Sequence, residues 1–142
     1  MENPLIKIPE VENILIKDFY ILRKADIKFS PGLNLIVGKN ATGKTTVINY
    51  LIKISNPNIM SKGQNIISFI NNEINKNCIL IDDVLLRLDD ENLIKILKNL
   101  ETCNRQVIAT LNTSQFDFIK DKIQANIINT ESFELNDGGK NE

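Results

Sequence analysis

The segment LNLIVGKNATGKTT, Leu33 to Thr46, constrains this chain more than any other stretch. Leu33 to Val37 is an apolar run of the length of a buried parallel strand. Gly38-Lys39-Asn40-Ala41-Thr42-Gly43-Lys44-Thr45 then fits G-x-x-x-x-G-K-[ST], the phosphate-binding loop. A helix is expected next, because Val47, Ile48, Leu51, Ile52 and Ile54 are spaced to cover one apolar face. Each part has a physical purpose. Glycines let backbone N–H groups close on a dense negative charge without a Cβ in the way. The helix N-terminus aims partial positive charge at the same point. Lys44 would reach the β- and γ-phosphates, and the Thr45 hydroxyl would hold Mg²⁺. Gly38 through Thr46 are therefore candidate contacts for ATP, with Lys44 also a catalytic candidate and Thr45 a metal ligand.

At 142 residues the chain is expected to be one domain, with residues 1–10 a loose leader and 136–142 a frayed tail. Its net charge of −1 gives no global pointer to nucleic acid or an anionic membrane. Histidine is absent, which excludes histidine acid–base and metal chemistry. Cys78 and Cys103 lack metal-ligand spacing and read as thiols in a reducing compartment. No run is long enough to span a bilayer and no secretion signal opens the chain, so a cytoplasmic protein without a membrane is expected.

Strands are expected at Ile14–Ile16, Ala25–Phe29, Leu33–Val37, Cys78–Ile81, Gln106–Leu111, Ala125–Ile128 and Ser132–Leu135. Between them come the loop helix, a second helix with Ile66, Ile67, Phe69, Ile70 and Ile74 on one face, an Asn92–Leu100 helix, and a short helix capped by Ser114. Tyr20 to Lys24 is expected to turn between the first two strands. Strands alternating with helices imply an α/β fold, a mainly parallel sheet flanked by helices.

The phrase ILIKDFYILRKADIKFSPGLNLIVGKNATGKTT resembles the start of ATP-binding-cassette heads of the RecF and SMC type. Asn40 matches the family's asparagine, and Ala41 stands where glycine is usual. The resemblance continues through Asn112 with the middle arm missing, and it implies a reduced P-loop NTPase head. Asp82, ending an apolar strand, would hold Mg²⁺ with Thr45. Asp83 stands where the family has the glutamate that positions the attacking water, and is shorter by about 1.5 Å. Asp89 sits where the family has an interface-crossing loop, and it equally fits a helix cap. Ser61-Lys62-Gly63-Gln64 resembles the signature S-G-G-Q, so Ser61, Gly63 and Gln64 would meet a partner subunit's γ-phosphate in trans. Asn112 replaces the switch histidine, and an amide there can bond phosphate or water but carries no charge. No glutamine lies between Thr46 and Gln64, so the Q-loop is missing.

The resemblance implies an ATPase that forms an ATP-dependent homodimer, with an arm-bearing or effector protein as partner and DNA by analogy alone. Two other readings stay open. One is a non-hydrolysing ATP-binding module for a partner protein. The other is a ParA/MinD-like ATPase, because Lys39 matches the extra lysine of that family's G-K-x-x-x-G-K-T loop. The two strands before the loop speak against the latter.

Overall fold

A computed structural model describes residues 5–8, 11–55 and 78–136. Strands β1 (Leu5–Ile8), β2 (Asn13–Phe19), β3 (Leu22–Lys28) and β4 (Leu33–Val37) lead into helix α1 (Lys44–Ser55). Then come β5 (Cys78–Ile81), a 3-10 turn at Leu85–Arg87, α2 (Asp90–Glu101), β6 (Gln106–Leu111) and α3 (Thr113–Ile119). Strand β7 (Asn126–Asn129), a 3-10 turn at Thr130–Ser132 and β8 (Glu134–Leu135) follow.

Two sheets form, in the orders β1-β5-β6-β4-β7 and β2-β3-β8. Strands β4 to β7 run parallel, and β1 joins β5 antiparallel. This is the α/β P-loop architecture that the alternation of elements implies. The central strands β4 and β6 are buried at every position, as parallel strands covered on both faces must be. Their side chains divide by parity. Leu33, Leu35, Val37, Val107, Ala109 and Leu111 join an apolar layer with Leu93 and Leu97 of α2 and Ile119 of α3. Ile36 and Ile108 face the other way, into a layer with Val47, Ile48 and Leu51 of α1 and with the small sheet. That sheet buries one face only, through Ile14, Ile16, Leu22, Ala25 and Ile27.

Several expectations are corrected. Within the leader, Leu5–Ile8 is a strand in register with β5, Leu5 opposite Ile81. The first hairpin turns at Tyr20-Ile21, and Leu22 to Lys24 already belong to β3. Thr130–Ser132 is a 3-10 turn, which shortens the last strand to Glu134–Leu135. Ser114 does not cap the short helix. Asn112 does, accepting from the Gln115 amide at 2.8 Å. The expected helix through Ile66 and Ile74, and Ser61, Gly63 and Gln64 before it, lie outside the described residues.

Asn34 is a buried polar residue inside β4, at the end of the sheet away from the loop. Its Oδ1 accepts from Ser30 N at 2.8 Å and from Asn126 Nδ2 at 2.8 Å. Its Nδ2 donates to Ser30 O, Gly32 O and Val107 O at 3.0–3.1 Å. One carboxamide thus ties the turn before β4 to β6 and β7. Asn34→Leu strands these groups away from water, and we expect it to cost about 2–4 kcal/mol in urea denaturation.

Candidate nucleotide site

Parallel register brings the functional segments together. Val37 pairs with Leu111, and Ile81 with Ala109, so β4, β5 and β6 end at nearly one level. The loop leaves β4 there, Asp82 leaves β5, and Asn112 leaves β6. Open α/β sheets bind ligands at such carboxyl ends. The Gly38 amide donates to Leu111 O at 3.3 Å, which anchors the loop to β6.

The loop leaves no room at its first glycine. A Cβ on Gly38 would collide with Thr130 Oγ1 and lie 2.8 Å from Thr42 Oγ1. At Gly43, φ is +109°, and a Cβ would meet Leu22 Cδ2 at 2.8 Å. Ala41 sits at φ 62°, a left-handed conformation that disfavours a Cβ. That geometry explains why glycine is the natural residue at this position. Lys39, Asn40, Ala41 and Thr45 are exposed, while Thr42 and Thr46 are half-buried. Thr42 Oγ1 donates to Lys39 O at 2.6 Å and accepts from Thr130 Oγ1 at 2.9 Å. Thr130, just past β7, therefore braces the loop from behind. Nothing in the sequence around it marks that role.

Lys44 opens α1 with only 7% of its surface exposed, and its Nζ donates to Gly38 O at 2.6 Å. An ammonium has three donors, so this bond leaves others for an anion. Burial pushes the Lys44 amine below its usual range, and the carboxylates of Asp83 and Asp82 pull it back up. Thr45 Oγ1 donates to Asp82 Oδ1 at 3.2 Å, joining loop and strand end across 37 positions of sequence. Burial raises the Asp82 carboxyl above the usual carboxylate range. Hydrogen bonds from Thr45 and Thr110 oppose that rise, the Asp83 charge adds to it, and Lys44 opposes it. Asp83 is exposed and left-handed, with φ 68°. Its amide donates to Thr110 Oγ1 at 3.1 Å.

A hydroxyl and a carboxylate side by side are the hard oxygen donors that Mg²⁺ takes, a few from protein and the rest from phosphates and water. Among the described residues no group of three or more His, Cys, Asp or Glu side chains gathers as a protein-only cage. Loop, lysine and acid pair thus stand together in one compact cluster at the carboxyl ends of the strands.

Asn112 is half-buried, and its side-chain oxygen is used in a capping box. Besides the Gln115 amide, Ser114 Oγ donates to it at 3.0 Å. In return Gln115 Oε1 accepts from the Asn112 amide at 3.2 Å, and its Nε2 donates to Leu85 O at 2.8 Å. Asp89 acts as the N-cap of α2, accepting from Asn92 N at 2.9 Å. A cleft of 480 Å³ flanks the loop, lined by Gly38, Lys39, Thr42, Thr113, Thr130 and Phe133 among others.

The family described as AAA ATPase domain matches residues 10–141, and the chain belongs to that family. Among curated proteins it is similar to the DNA replication and repair protein RecF of Salmonella arizonae, 47% identical over 38 residues. That match covers 27% of this chain and 11% of RecF. RecF of Enterobacter sp. and of Klebsiella pneumoniae are each 51% identical over 35 residues, 25% of this chain and 10% of theirs. The chain therefore spans about a tenth of the curated relatives it matches. No solved structure matches it. Loop, sheet and family together define a nucleotide-binding P-loop ATPase of the RecF/SMC-like kind. Among the described residues no helix is long and apolar enough to cross a membrane.

Two stability changes are expected. Ala41→Gly removes the left-handed penalty and, after the added freedom of the unfolded chain, raises stability by about 0.5–1 kcal/mol in chemical denaturation. Because the Asp82 carboxyl is held above 3.8, folding stability falls as the pH rises from 3.8 through the raised value and stays lower above it, with no such effect below 3.8. Asparagine keeps the oxygen that Thr45 and Thr110 reach. Without nucleotide, Asp82→Asn should therefore melt higher than the wild type near neutral pH in calorimetry. The difference should vanish below 3.8.

Proposed function

We propose that this chain is a Mg·ATP-binding head that pairs with a second copy around the nucleotide and hydrolyses ATP slowly. The observation that carries the reading is the Thr45–Asp82 contact, which joins the phosphate loop to the acid after β5. The residues fit the ligands they would hold. Gly38 has no space for a Cβ where the backbone must approach phosphate, and α1 begins at Lys44 with its N-terminus toward the loop. Gly38 to Thr46 would wrap the triphosphate, Lys44 would neutralise it, and Thr45 and Asp82 would hold Mg²⁺. When bound, the ion supplies charge neutralisation at the phosphoryl oxygens.

Asp83 is the base in this reading. It sits one residue past Asp82, is exposed, and has its backbone held by Thr110. Its carboxylate would orient the attacking water and accept a proton from it. Its shortness, relative to glutamate, is the reason to expect slow turnover. Asn112 would contact the γ-phosphate or the water. Ser61, Gly63 and Gln64 would close the site from the partner subunit, so that ATP is fully contacted only when two copies meet. The pair would then act as a nucleotide-driven switch for an arm-bearing or effector protein in the cytoplasm. DNA enters as a target only through the name of the RecF relatives.

Light scattering is expected to find a monomer without nucleotide and a dimer at saturating Mg·ATP. Lys44→Ala abolishes the dimer. Asp83→Asn lowers kcat by roughly 10²–10⁴ and makes the dimer longer-lived. A wild-type chain that stays monomeric with Mg·ATP overturns the pairing.

A second reading, a nucleotide-binding module without turnover, is favoured by Asn112. Its side-chain oxygen already accepts from Gln115 N and Ser114 Oγ, so its amide hydrogens can donate to a γ-phosphate while no acceptor is left for the attacking water. Phosphate release separates the two. The ATPase reading expects Lys44→Ala to fall by about 10²-fold or more, and equal rates favour the module.

A further inference from the structure

Thr110 lies on β6 in an otherwise apolar stretch, Val107 to Leu111, and is 1% exposed. A hydroxyl buried in a sheet is costly unless it is bonded, and valine would fill the same space without that demand. The bonds it makes are informative. Thr110 Oγ1 donates to Asp82 Oδ1 at 3.2 Å and accepts from the Asp83 amide at 3.1 Å. One hydroxyl thus touches both acids, from the strand that lies between the acid strand and the loop strand. The register accounts for the meeting: Ile81 pairs with Ala109, so the next residue on each strand, Asp82 and Thr110, are neighbours.

The two bonds do different things. Thr45 and Thr110 both reach Oδ1 of Asp82, which fixes the rotation of the carboxylate and leaves Oδ2 untouched by either. The bond from the Asp83 amide holds the backbone at a point where it turns left-handed, φ 68°. Such a conformation is uncommon for a residue with a side chain, though aspartate tolerates it better than most, and a bond to its amide helps to hold it. Resting on the reading of Asp82 as metal ligand and Asp83 as base, we infer that Thr110 is the positioning residue of this ATPase, setting the carboxylate of one acid and the backbone of the other with a single hydroxyl. It acts through the metal ligand and the base, by its bonds to Asp82 and to the Asp83 backbone.

The test compares Thr110→Val, which removes the hydroxyl at constant shape, with Thr110→Ser, which keeps it. ATP affinity without Mg²⁺, measured by calorimetry, should be the same in the wild type and both variants. In Thr110→Val, kcat and the affinity for Mg²⁺ should each fall by about 10–100-fold, as for other groups that orient metal ligands. Thr110→Ser should stay within about threefold of the wild type. A merely structural role would lower the melting temperature and leave the Mg²⁺ dependence alone. A valine variant with wild-type kcat and Mg²⁺ dependence overturns the assignment, as does a serine variant as impaired as the valine one. If the valine chain does not fold, Thr110→Ala against Thr110→Ser makes the same comparison. A wild type that shows no Mg²⁺-dependent turnover overturns the functional reading itself, and that result is in hand before any variant is measured.

Discussion

Parallel hydrogen bonding of β6 to β4 on one side and to β5 on the other is the interaction from which the site follows. Parallel strands place their carboxyl ends along one edge. With β6 between them, the loop after β4 and the acids after β5 emerge far enough apart to admit a ligand and near enough for Thr45 to reach Asp82. Thr110, on the middle strand, closes the gap from below. Burial of every residue of β4 and β6 makes this register hard to shift, because a slip of one position would exchange the two apolar layers.

The site is built at some expense of stability. Ala41 and Asp83 both hold left-handed backbones, and both lie at the loop or beside it. Lys44 and Asp82 are charged groups that burial pushes toward neutrality. None of these features helps the fold on its own. Together they concentrate backbone donors, a cation and an acid pair at one edge of the sheet, which suits a ligand that brings its own large charge. Desolvated charges gathered at one place are what a binding site looks like before its ligand supplies the missing interactions.

The small antiparallel sheet serves the same edge from the other direction. Leu22 of β3 and Phe133, just before β8, stand against Gly43, so the sheet presses on the point where the loop becomes α1. At the opposite end of the strands, Asn34 and Gln106 anchor the turn around Ser30 and the segment at Val11 with half-buried hydrogen bonds. The loop is thus positioned from both ends of β4, by apolar contact above and by a polar clamp below.

Much of this was legible in the chain. The loop, the strand before it and the helix after it are local, and their signal is the spacing of glycines, Lys44, Thr45 and apolar residues. Cys78–Ile81 and Gln106–Leu111 were also readable, because short apolar runs between polar segments are what buried strands require. Boundaries set by partners were not. Leu5–Ile8 is a strand only because β5 offers an edge to pair with, and Asn112 outcompetes Ser114 as a cap because the end of β6 delivers it to the start of α3. The roles of Thr130 and Thr110 were invisible for the same reason. A lone threonine carries no pattern, and each acts across a distance of 28 or 88 residues in sequence. By itself the sequence determined the phosphate-loop motif and the strand and helix that flank it, since the identity and spacing of loop residues are local properties. The strand order and register, and with them which hydroxyl meets which acid, were decided by long-range pairing and burial that only the tertiary structure contains.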